Sequence, residues 1–384
     1  MPELTRDRKR HLAAYRFFKA LVGPYMKRLF RMTPLSAPQL KGPYLVYANH
    51  NADLDPVLLG LSFKEHIYFV ASEHVYRAGF ASKLLKRYFD PISRLKGSSD
   101  ASAVKEILRR LRAGFNVCIF AEGNRSFDGR TCPILPTSGK LAKICGVPLV
   151  TYKFEGGYFT TPRWAFTMRH GRMRGYVVNI YSPEQLAAMG VNEINEAIAA
   201  DLYEDAYARQ AEERIPFRGK RLAEGLEAAL YICPQCGRIN TLQSRGDAFF
   251  CGCGLNARYD EYGQLHGAPF GSVAQWDDFQ RQRLPEIAAA LGDEAAFGDE
   301  SVRLVRILDG HRSEPIYSGP IAMYRDRIEL GEITLPISEL SDMALYGRAN
   351  IALTCGGKHY DIVSDPPFCG RKYLELYQQL KTKG

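Results

Sequence analysis

Short apolar runs and amphipathic stretches alternate along residues 43–225. Four apolar runs between turns predict buried strands, at residues 44–48, 67–71, 117–121 and 147–152. Apolar residues at helical spacing predict two helices between these strands, one over 104–111 and one from about 138 to Gly146. This alternation predicts an α/β domain with a largely buried sheet.

The first 32 residues are the most basic segment and also hold regularly spaced apolar side chains. Residues 1–31 contain nine Lys and Arg residues but only two acidic ones, Glu3 and Asp7. Their apolar spacing predicts an amphipathic helix over 1–32, interrupted near Gly23-Pro24. Two interpretations stay open. The helix lies in a membrane interface, which the coincidence of basic and aromatic residues favours, or it packs its apolar stripe on the protein's own core.

The pattern changes twice after residue 225. A short, turn-rich segment contains four cysteines, and alternating runs then predict strands at 302–308, 316–324, 328–335 and 350–362 before a last amphipathic helix. We therefore expect four parts: a basic helix (1–32), an α/β domain (33–225), a zinc-ribbon-like segment (226–268) and a β-rich accessory domain (269–384). A pleckstrin-homology-like barrel fits the last part, as a fold analogy only.

The net charge of the chain and its distribution indicate which class of binding partner to expect. The chain has 384 residues, 46% of them hydrophobic, and a formal net charge of +9, which favours nucleic acid or an anionic membrane surface. Basic residues concentrate in the first helix and around 163–174, whereas 233–253 contains only Arg238 and Arg245. This distribution favours lipid headgroups and argues against nucleic acid.

The sequence also indicates where the protein works. No run of 18 or more uncharged apolar residues occurs, and the N-terminus lacks the apolar run and cleavage site of a secretory signal. Nine cysteines without an export signal indicate free thiols in a reducing compartment. We therefore expect a peripheral protein at the cytoplasmic face of a membrane.

A histidine and an aspartate follow the first predicted strand. His50 lies just past the strand at 44–48, and Asp55 comes five positions later, so a turn can bring its carboxylate onto the imidazole. Such a carboxylate fixes the tautomer and leaves the other ring nitrogen as a general base. Alone, Asp55-Pro56 is also typical of a helix start, and a lone surface histidine needs no function.

A second polar cluster follows the strand at 117–121. The sequence there is Glu122-Gly123-Asn124-Arg125-Ser126, again at the carboxyl end of a strand, where ligands of α/β proteins usually bind. Gly123 allows close approach of the backbone to a ligand, and Arg125 offers a planar fork for phosphate. Taken alone, this cluster is equally typical of an ordinary polar turn.

Together the two clusters resemble the glycerolipid acyltransferase family, which includes the 1-acylglycerol-3-phosphate acyltransferases. His50 and Asp55 match the family's His-x4-Asp motif, and residues 120–126 match its Phe-Pro-Glu-Gly-Thr-Arg-Ser motif. Residues 88–94 fall where the family has a short apolar run ending in arginine, and 146–150 fall at its proline-containing strand. The four elements occur in the family's order.

The resemblance covers about residues 40–220 and implies both a fold and an activity. The fold is a mixed sheet flanked by helices. The activity is transfer of a fatty acyl group from acyl-CoA or acyl carrier protein to the hydroxyl of 1-acyl-glycerol-3-phosphate or a related lysophospholipid. His50 would remove the acceptor's proton and Asp55 would orient the ring, without a covalent acyl-enzyme.

The resemblance also implies an acceptor site. Arg94 and Arg125 would hold the phosphate, Glu122 and Gly123 would shape the floor of the site, and Asn124 and Ser126 complete the motif. The chain departs from the family at three positions: Asn124 replaces a threonine, Ala121 replaces a proline, and Ser72 stands where the family often has lysine.

The four clustered cysteines have the spacing of two metal knuckles. They occur as Cys233-Pro-Gln-Cys236-Gly and as Cys251-Gly-Cys253-Gly, with fourteen residues between Cys236 and Cys251. Four thiolates fill a tetrahedral shell, which predicts a structural zinc site without an open position. Reduced cysteines without metal, and an iron site of rubredoxin type, are the alternatives.

Three functional hypotheses therefore remain. The first is the lysophospholipid acyltransferase. The second keeps this chemistry but uses a lipid acceptor without phosphate. The third belongs to another class, a zinc-ribbon binding module on a degenerate acyltransferase scaffold. The intact set of His50, Asp55, Glu122 and Arg125 argues against degeneracy.

Overall fold

The computed structural model describes residues 2–34, 38, 40, 42–77, 80–94, 101–308, 312–365 and 367–382. These residues form two compact units. The first unit is drawn from residues 2–94, 101–162 and 169–218, and the second from 163–168 and 219–382.

The first unit contains nine described α-helices and seven strands. The helices are α1 (Pro2–Leu29), α2 (Asp55–Ser62), α3 (Phe80–Tyr88), α4 (Ala101–Arg112), α5 (Ser138–Cys145), α6 (Gly157–Thr160), α7 (Pro183–Ala188), α8 (Val191–Leu202) and α9 (Ala206–Glu213). The strands are β1 (Met32–Pro34), β2 (Leu45–Ala48), β3 (Ile67–Ser72), β4 (Ile92–Arg94), β5 (Asn116–Phe120), β6 (Leu149–Glu155) and β7 (Met173–Tyr181).

These strands form one mixed sheet in the order β1-β7-β6-β2-β5-β3-β4. The five strands from β6 to β4 are parallel, whereas β7 is antiparallel to β6 and β1 is parallel to β7. The predicted α/β class with a mixed sheet is confirmed. The carboxyl ends of β2, β5, β3 and β4 therefore lie along one edge of the sheet, which is where both sequence motifs begin.

Alternation along β2 sends side chains to both faces of this sheet, because successive strand residues point in opposite directions. Leu45 and Tyr47 join a buried core with residues of α4, α5 and α8, such as Ile107 and Ile198. On the other face, the Tyr44 ring lies 5.9 Å from the ring of Phe63, the residue that follows α2. Helices thus cover the sheet on both sides.

Helix α1 packs on α2 and α3 with one face only. His11 and Tyr15 are buried, whereas Phe17 and Leu21 are among its exposed side chains. The predicted interruption near Gly23-Pro24 is wrong, since the helix is continuous from Pro2 to Leu29. Tertiary packing outweighs the local sequence here: a Cβ atom at Gly23 would lie only 3.1 Å from Leu61 of α2, so a glycine lets the two helices approach closely.

Within the described ranges, no helix combines the length and the apolar character that crossing a bilayer requires. Helix α1 is long enough, but it alternates apolar and basic residues along its length.

The second unit is rich in β structure, which confirms the β-rich C-terminal region. Its helices are α10 (Val273–Ala290) and α11 (Gly370–Thr382), and its strands are β8 (Leu242–Arg245), β9 (Ala248–Cys251), β10 (Asn256–Tyr259), β11 (Leu265–His266), β12 (Phe297–Ile307), β13 (Ser313–Met323), β14 (Arg327–Leu330), β15 (Ile333–Pro336), β16 (Leu340–Tyr346), β17 (Asn350–Cys355) and β18 (Lys358–Val363). The strands form a four-stranded sheet, β11-β10-β9-β8, and a seven-stranded sheet, β15-β14-β13-β12-β18-β17-β16. The pleckstrin-homology-like architecture and the predicted domain boundaries stay predictions.

Candidate active site and cysteine cluster

His50 and Asp55 are brought together by the loop between β2 and α2. The imidazole Nδ1 lies 2.9 Å from Asp55 Oδ2. The same carboxylate oxygen accepts hydrogen bonds from the backbone amides of Asn51, at 2.7 Å, and Ala52, at 2.8 Å. Asp55 is therefore the first residue of α2 and also the acceptor around which the preceding loop folds.

This arrangement defines the chemistry of the imidazole. Asp55 is completely buried, and 22% of the His50 side chain is exposed. Because a carboxylate can only accept, Nδ1 of His50 must donate, so the lone pair of the neutral ring is on Nε2. The imidazole also stacks on Phe120, with ring centroids 4.3 Å apart. The ring is thus fixed in orientation and tautomer, as a general base requires.

Glu122 connects the two sequence motifs through their backbones. One carboxyl oxygen accepts from the His50 amide at 2.6 Å, and the other accepts from the Cys132 amide at 2.6 Å. Burial raises the pKa of Glu122 to about 8, although both amide donors favour the ionised form. Glu122 therefore positions the histidine loop against the turn that follows β5.

The rest of that turn is shaped by Gly123 and Ser126. Gly123 has a φ of +68°, a conformation that other residues adopt only with strain. The Ser126 hydroxyl donates to Asp128 at 3.0 Å and accepts from the Gly129 amide at 2.8 Å, so it fastens the turn. Contact of Ser126 and of the half-buried Asn124 with substrate stays a prediction.

Arg125 is buried and lies beside the histidine loop. Its guanidinium is 3.1 Å from the carboxylate of Asp53, a residue of that loop with 77% of its side chain exposed. Burial lowers the pKa of Arg125, and the charge of Asp53 opposes that shift. The arginine fork is therefore desolvated and held next to the His50–Asp55 pair.

Arg94 is the last residue of β4, at the same edge of the sheet, and is half-buried. Strand β4 is two strands from β5 in the sheet order, a separation of about 10 Å. The structure thus places Arg94 at the same edge of the sheet as the turn that carries Arg125, and contact of both residues with one phosphate stays a prediction.

Three further residues hold the histidine loop, and sequence reasoning missed them. Asn49 binds the backbone of Phe154 in β6 twice, through Nδ2 at 2.9 Å and Oδ1 at 2.7 Å. Asn51 donates to the carboxylate of Glu204 at 2.7 Å. Glu204 is buried, which raises its pKa, and its carbonyl accepts from the amide of Thr131 at 3.0 Å. The asparagines flank His50 in the sequence, but no local pattern indicates Glu204.

The four predicted cysteine ligands converge in the second unit. Their sulfur atoms all lie within 4.8 Å of one another, with Cys233–Cys253 at 3.7 Å and Cys236–Cys251 at 3.9 Å. Tetrahedral bonds of about 2.3 Å to one zinc ion would place thiolates about 3.8 Å apart, so the cluster fits a structural zinc site. Each knuckle turns at a glycine with positive φ, one at Gly237 and one at Gly254.

The raised pKa of Glu122 predicts a pH-dependent stability. Because the folded state holds this proton up to about pH 8 while an ordinary glutamic acid releases it near pH 4.5, the folded state loses stability as the pH rises between these values. The slope from one such proton approaches about 1.4 kcal/mol per pH unit. We expect Glu122→Gln to be less stable, because one amide loses its acceptor, but to lack this slope.

The measurement is the free energy of unfolding by denaturant at several pH values. Glu196→Gln, on the exposed face of α8, is the matched control and should keep the parent's slope. Equal slopes in the parent and Glu122→Gln would contradict a protonated Glu122.

The chain is similar to acyltransferases over the segment that contains this site. A model of the acyltransferase family matches residues 30–155, a segment that contains both motifs. No curated protein matches the chain. Solved structures to which the chain is similar include the 1-acyl-sn-glycerophosphate (LPA) acyltransferase PlsC from Thermotoga maritima, at 18% identity and a TM-score of 0.40, over 56% of this chain and 98% of that one.

At that TM-score the structural likeness adds nothing to the assignment, which rests on the family match. The matched segment begins at the end of α1 and runs to the end of β6, so it includes the strands that present His50, Asp55 and the Glu122–Ser126 turn. The resemblance inferred from the motifs is therefore confirmed: residues 30–155 match the acyltransferase family.

Proposed function

We propose that this protein transfers a fatty acyl group from a thioester donor to the hydroxyl of a lysophospholipid, with His50 as general base. The observation that supports this most strongly is the buried carboxylate of Asp55, which accepts from Nδ1 of His50 at 2.9 Å. That contact leaves Nε2 as the proton acceptor. The match of residues 30–155 to acyltransferases supplies the reaction class.

The reaction proceeds by direct attack. Nε2 of His50 takes the proton of the acceptor hydroxyl while the hydroxyl oxygen forms a bond to the carbonyl carbon of the thioester. The tetrahedral intermediate then collapses with cleavage of the carbon–sulfur bond, and the imidazolium returns the proton to the leaving thiolate. The products are the acylated lipid and the free thiol of coenzyme A or acyl carrier protein. Asp55 stabilises the imidazolium while it carries the proton.

The acceptor's phosphate would bind between Arg125 and Arg94. Arg125 is already desolvated, and a guanidinium pairs with phosphate through two parallel hydrogen bonds. To bind there, the phosphate would displace the exposed carboxylate of Asp53. Acyl-CoA and acyl carrier protein are both compatible with the thioester chemistry.

One observation favours a second candidate, a lipid acceptor without phosphate. The Arg125–Asp53 ion pair already neutralises the arginine next to His50. If that pair persists when substrate binds, an acceptor with hydroxyl or amine groups fits better than a phosphate. The two candidates differ in acceptor and share the same general base.

We also propose that α1 brings the enzyme to the cytoplasmic face of an anionic membrane. Its exposed side chains combine aromatic residues with Lys and Arg, the composition of interfacial helices. Lysophospholipid acceptors reside at such surfaces, so a membrane-bound enzyme meets them directly.

The central test is acyl transfer by His50→Ala. We expect this variant to lose at least about 10²-fold in turnover of labelled acyl-CoA and lysophosphatidic acid on anionic vesicles, because general-base catalysis is worth about 10²–10⁴-fold. His266→Ala is the matched control, because His266 also pairs with a carboxylate, that of Asp260 at 2.8 Å, and is exposed. The control should keep the parent's activity.

Each other outcome has a defined meaning. Equal activity of His50→Ala and the parent would exclude His50 as the base. Activity of the parent with hydroxyl lipids that lack phosphate, but not with lysophosphatidic acid, would select the second candidate. Inactivity of the parent across coenzyme A and carrier-protein donors and a broad lipid panel would contradict the proposal and favour the binding-module hypothesis.

The cysteine cluster is proposed to hold one structural zinc ion. Metal analysis of the purified protein should find one zinc per chain, and Cys236→Ser should lose it together with thermal stability of the second unit. Cys145→Ser, in the first unit, is the control and should retain the metal. Iron at the same stoichiometry would point to a rubredoxin-type site, and full zinc content in Cys236→Ser would contradict this ligand set.

A further inference from the structure

We propose that a basic recess at the end of α1 binds the phosphate of an anionic bilayer phospholipid, separately from the acceptor at His50. The recess has a volume of about 630 Å³ and is lined by Tyr25, Arg28, Leu29, Arg31 and His170. This inference rests on the proposed function, since it describes how such an enzyme would sit on its membrane.

The recess is cationic and uncompensated. Within the described part of the chain, the side chains of Arg28, Arg31 and His170 have neither an ion-pair partner nor a hydrogen-bond partner. On the segment after His170, Arg172 and Arg174 form ion pairs with Glu213. The carboxylate of Glu213 therefore does not neutralise the cations of the recess. Two guanidinium groups beside an imidazole form a donor set suited to phosphate oxygens.

An exposed apolar stripe leads along α1 to the recess. Phe17, Leu21 and Tyr25 are 69%, 65% and 61% exposed and follow one another at four-residue spacing, so they share one face of the helix. They span about 12 Å of helix, and Arg28 follows on the same face. Apolar side chains ending in a phosphate-binding pocket match a phospholipid, whose acyl chains and headgroup are joined in the same way.

The sheet places this recess at the reaction edge. Strand β1 starts directly after Arg31, and its first residue, Met32, pairs with Met173, the first residue of β7. Since β7 is antiparallel to β6, these strand starts lie at the same edge as the carboxyl end of β2. Strand β1 is three strands from β2 in the sheet order, about 14 Å.

A lipid held in the recess therefore lies along the same edge as His50. Binding there would turn this edge of the first unit toward the bilayer surface, where a lysophospholipid acceptor resides. The recess would act as an orienting contact and would not touch the reacting atoms.

The test is cosedimentation with vesicles of phosphatidylcholine containing phosphatidylglycerol, in the absence of any acyl donor. We expect Arg28→Ala/Arg31→Ala to bind about 25-fold more weakly than the parent, because each basic residue at an anionic surface contributes about fivefold. The control is Lys105→Ala/Arg112→Ala, which removes two exposed cations from α4, on the opposite face of the sheet. It should weaken binding by no more than about twofold.

Two results would contradict binding of a phospholipid in the recess. Equal losses in both double variants would show that only diffuse charge attraction holds the protein on the vesicle. Unchanged binding of Arg28→Ala/Arg31→Ala would show that the two arginines do not contribute. If the alanine variant does not fold, Arg28→Gln/Arg31→Gln replaces it, provided that its circular dichroism and zinc content are like the parent's. Since no acyl donor is present, a failure of this proposal is distinct from a failure of acyl transfer.

Discussion

The buried carboxylate of Asp55 is the interaction on which the candidate active site depends. A carboxylate that is completely removed from water is costly unless strong donors surround it. Here one oxygen, Oδ2, accepts three N–H groups, two from the loop backbone and one from His50. These three hydrogen bonds to Oδ2 therefore fold the loop and align the imidazole in the same step. Removing it would leave the loop amides without their acceptor, so effects on activity and on local stability should appear together.

The loop is held from distant parts of the chain as well. Glu122, at the end of β5, binds the His50 backbone, Asn49 binds β6 through Phe154, and Asn51 reaches Glu204. The site thus forms only when the sheet has formed, because each support comes from another strand end or from the segment after α8. A substitution at such a support changes the position of His50 without touching the substrate, and a displacement of about 1 Å can cost about 10²-fold in rate.

Much of the first unit could be predicted from the sequence, because its central strands are buried on both faces and read as continuous apolar runs. The His50–Asp55 contact was also predictable, since five residues after a strand suffice for a turn. Glu204 was not, because it is joined to Asn51 across 153 positions with no local pattern. The strand pattern of the second unit was predicted only in part. The run at 350–362 is two strands, β17 and β18, that are joined by a turn at Gly356 and Gly357.

The predicted break in helix α1 was wrong, because packing of α1 on α2 outweighs the local preference of Gly23-Pro24.

The tautomer of His50 is read by ¹⁵N NMR of histidine-labelled protein, with the signals assigned by comparison with His50→Gln. At a pH where the ring is neutral, we expect a protonated Nδ1 and an unprotonated Nε2, because Nδ1 donates to Asp55. We also expect this tautomer preference to weaken in Asp55→Asn, whose side chain lacks the negative charge. A neutral His50 protonated on Nε2 in the parent would contradict its role as general base, because the nitrogen proposed to accept the hydroxyl proton would already carry a proton.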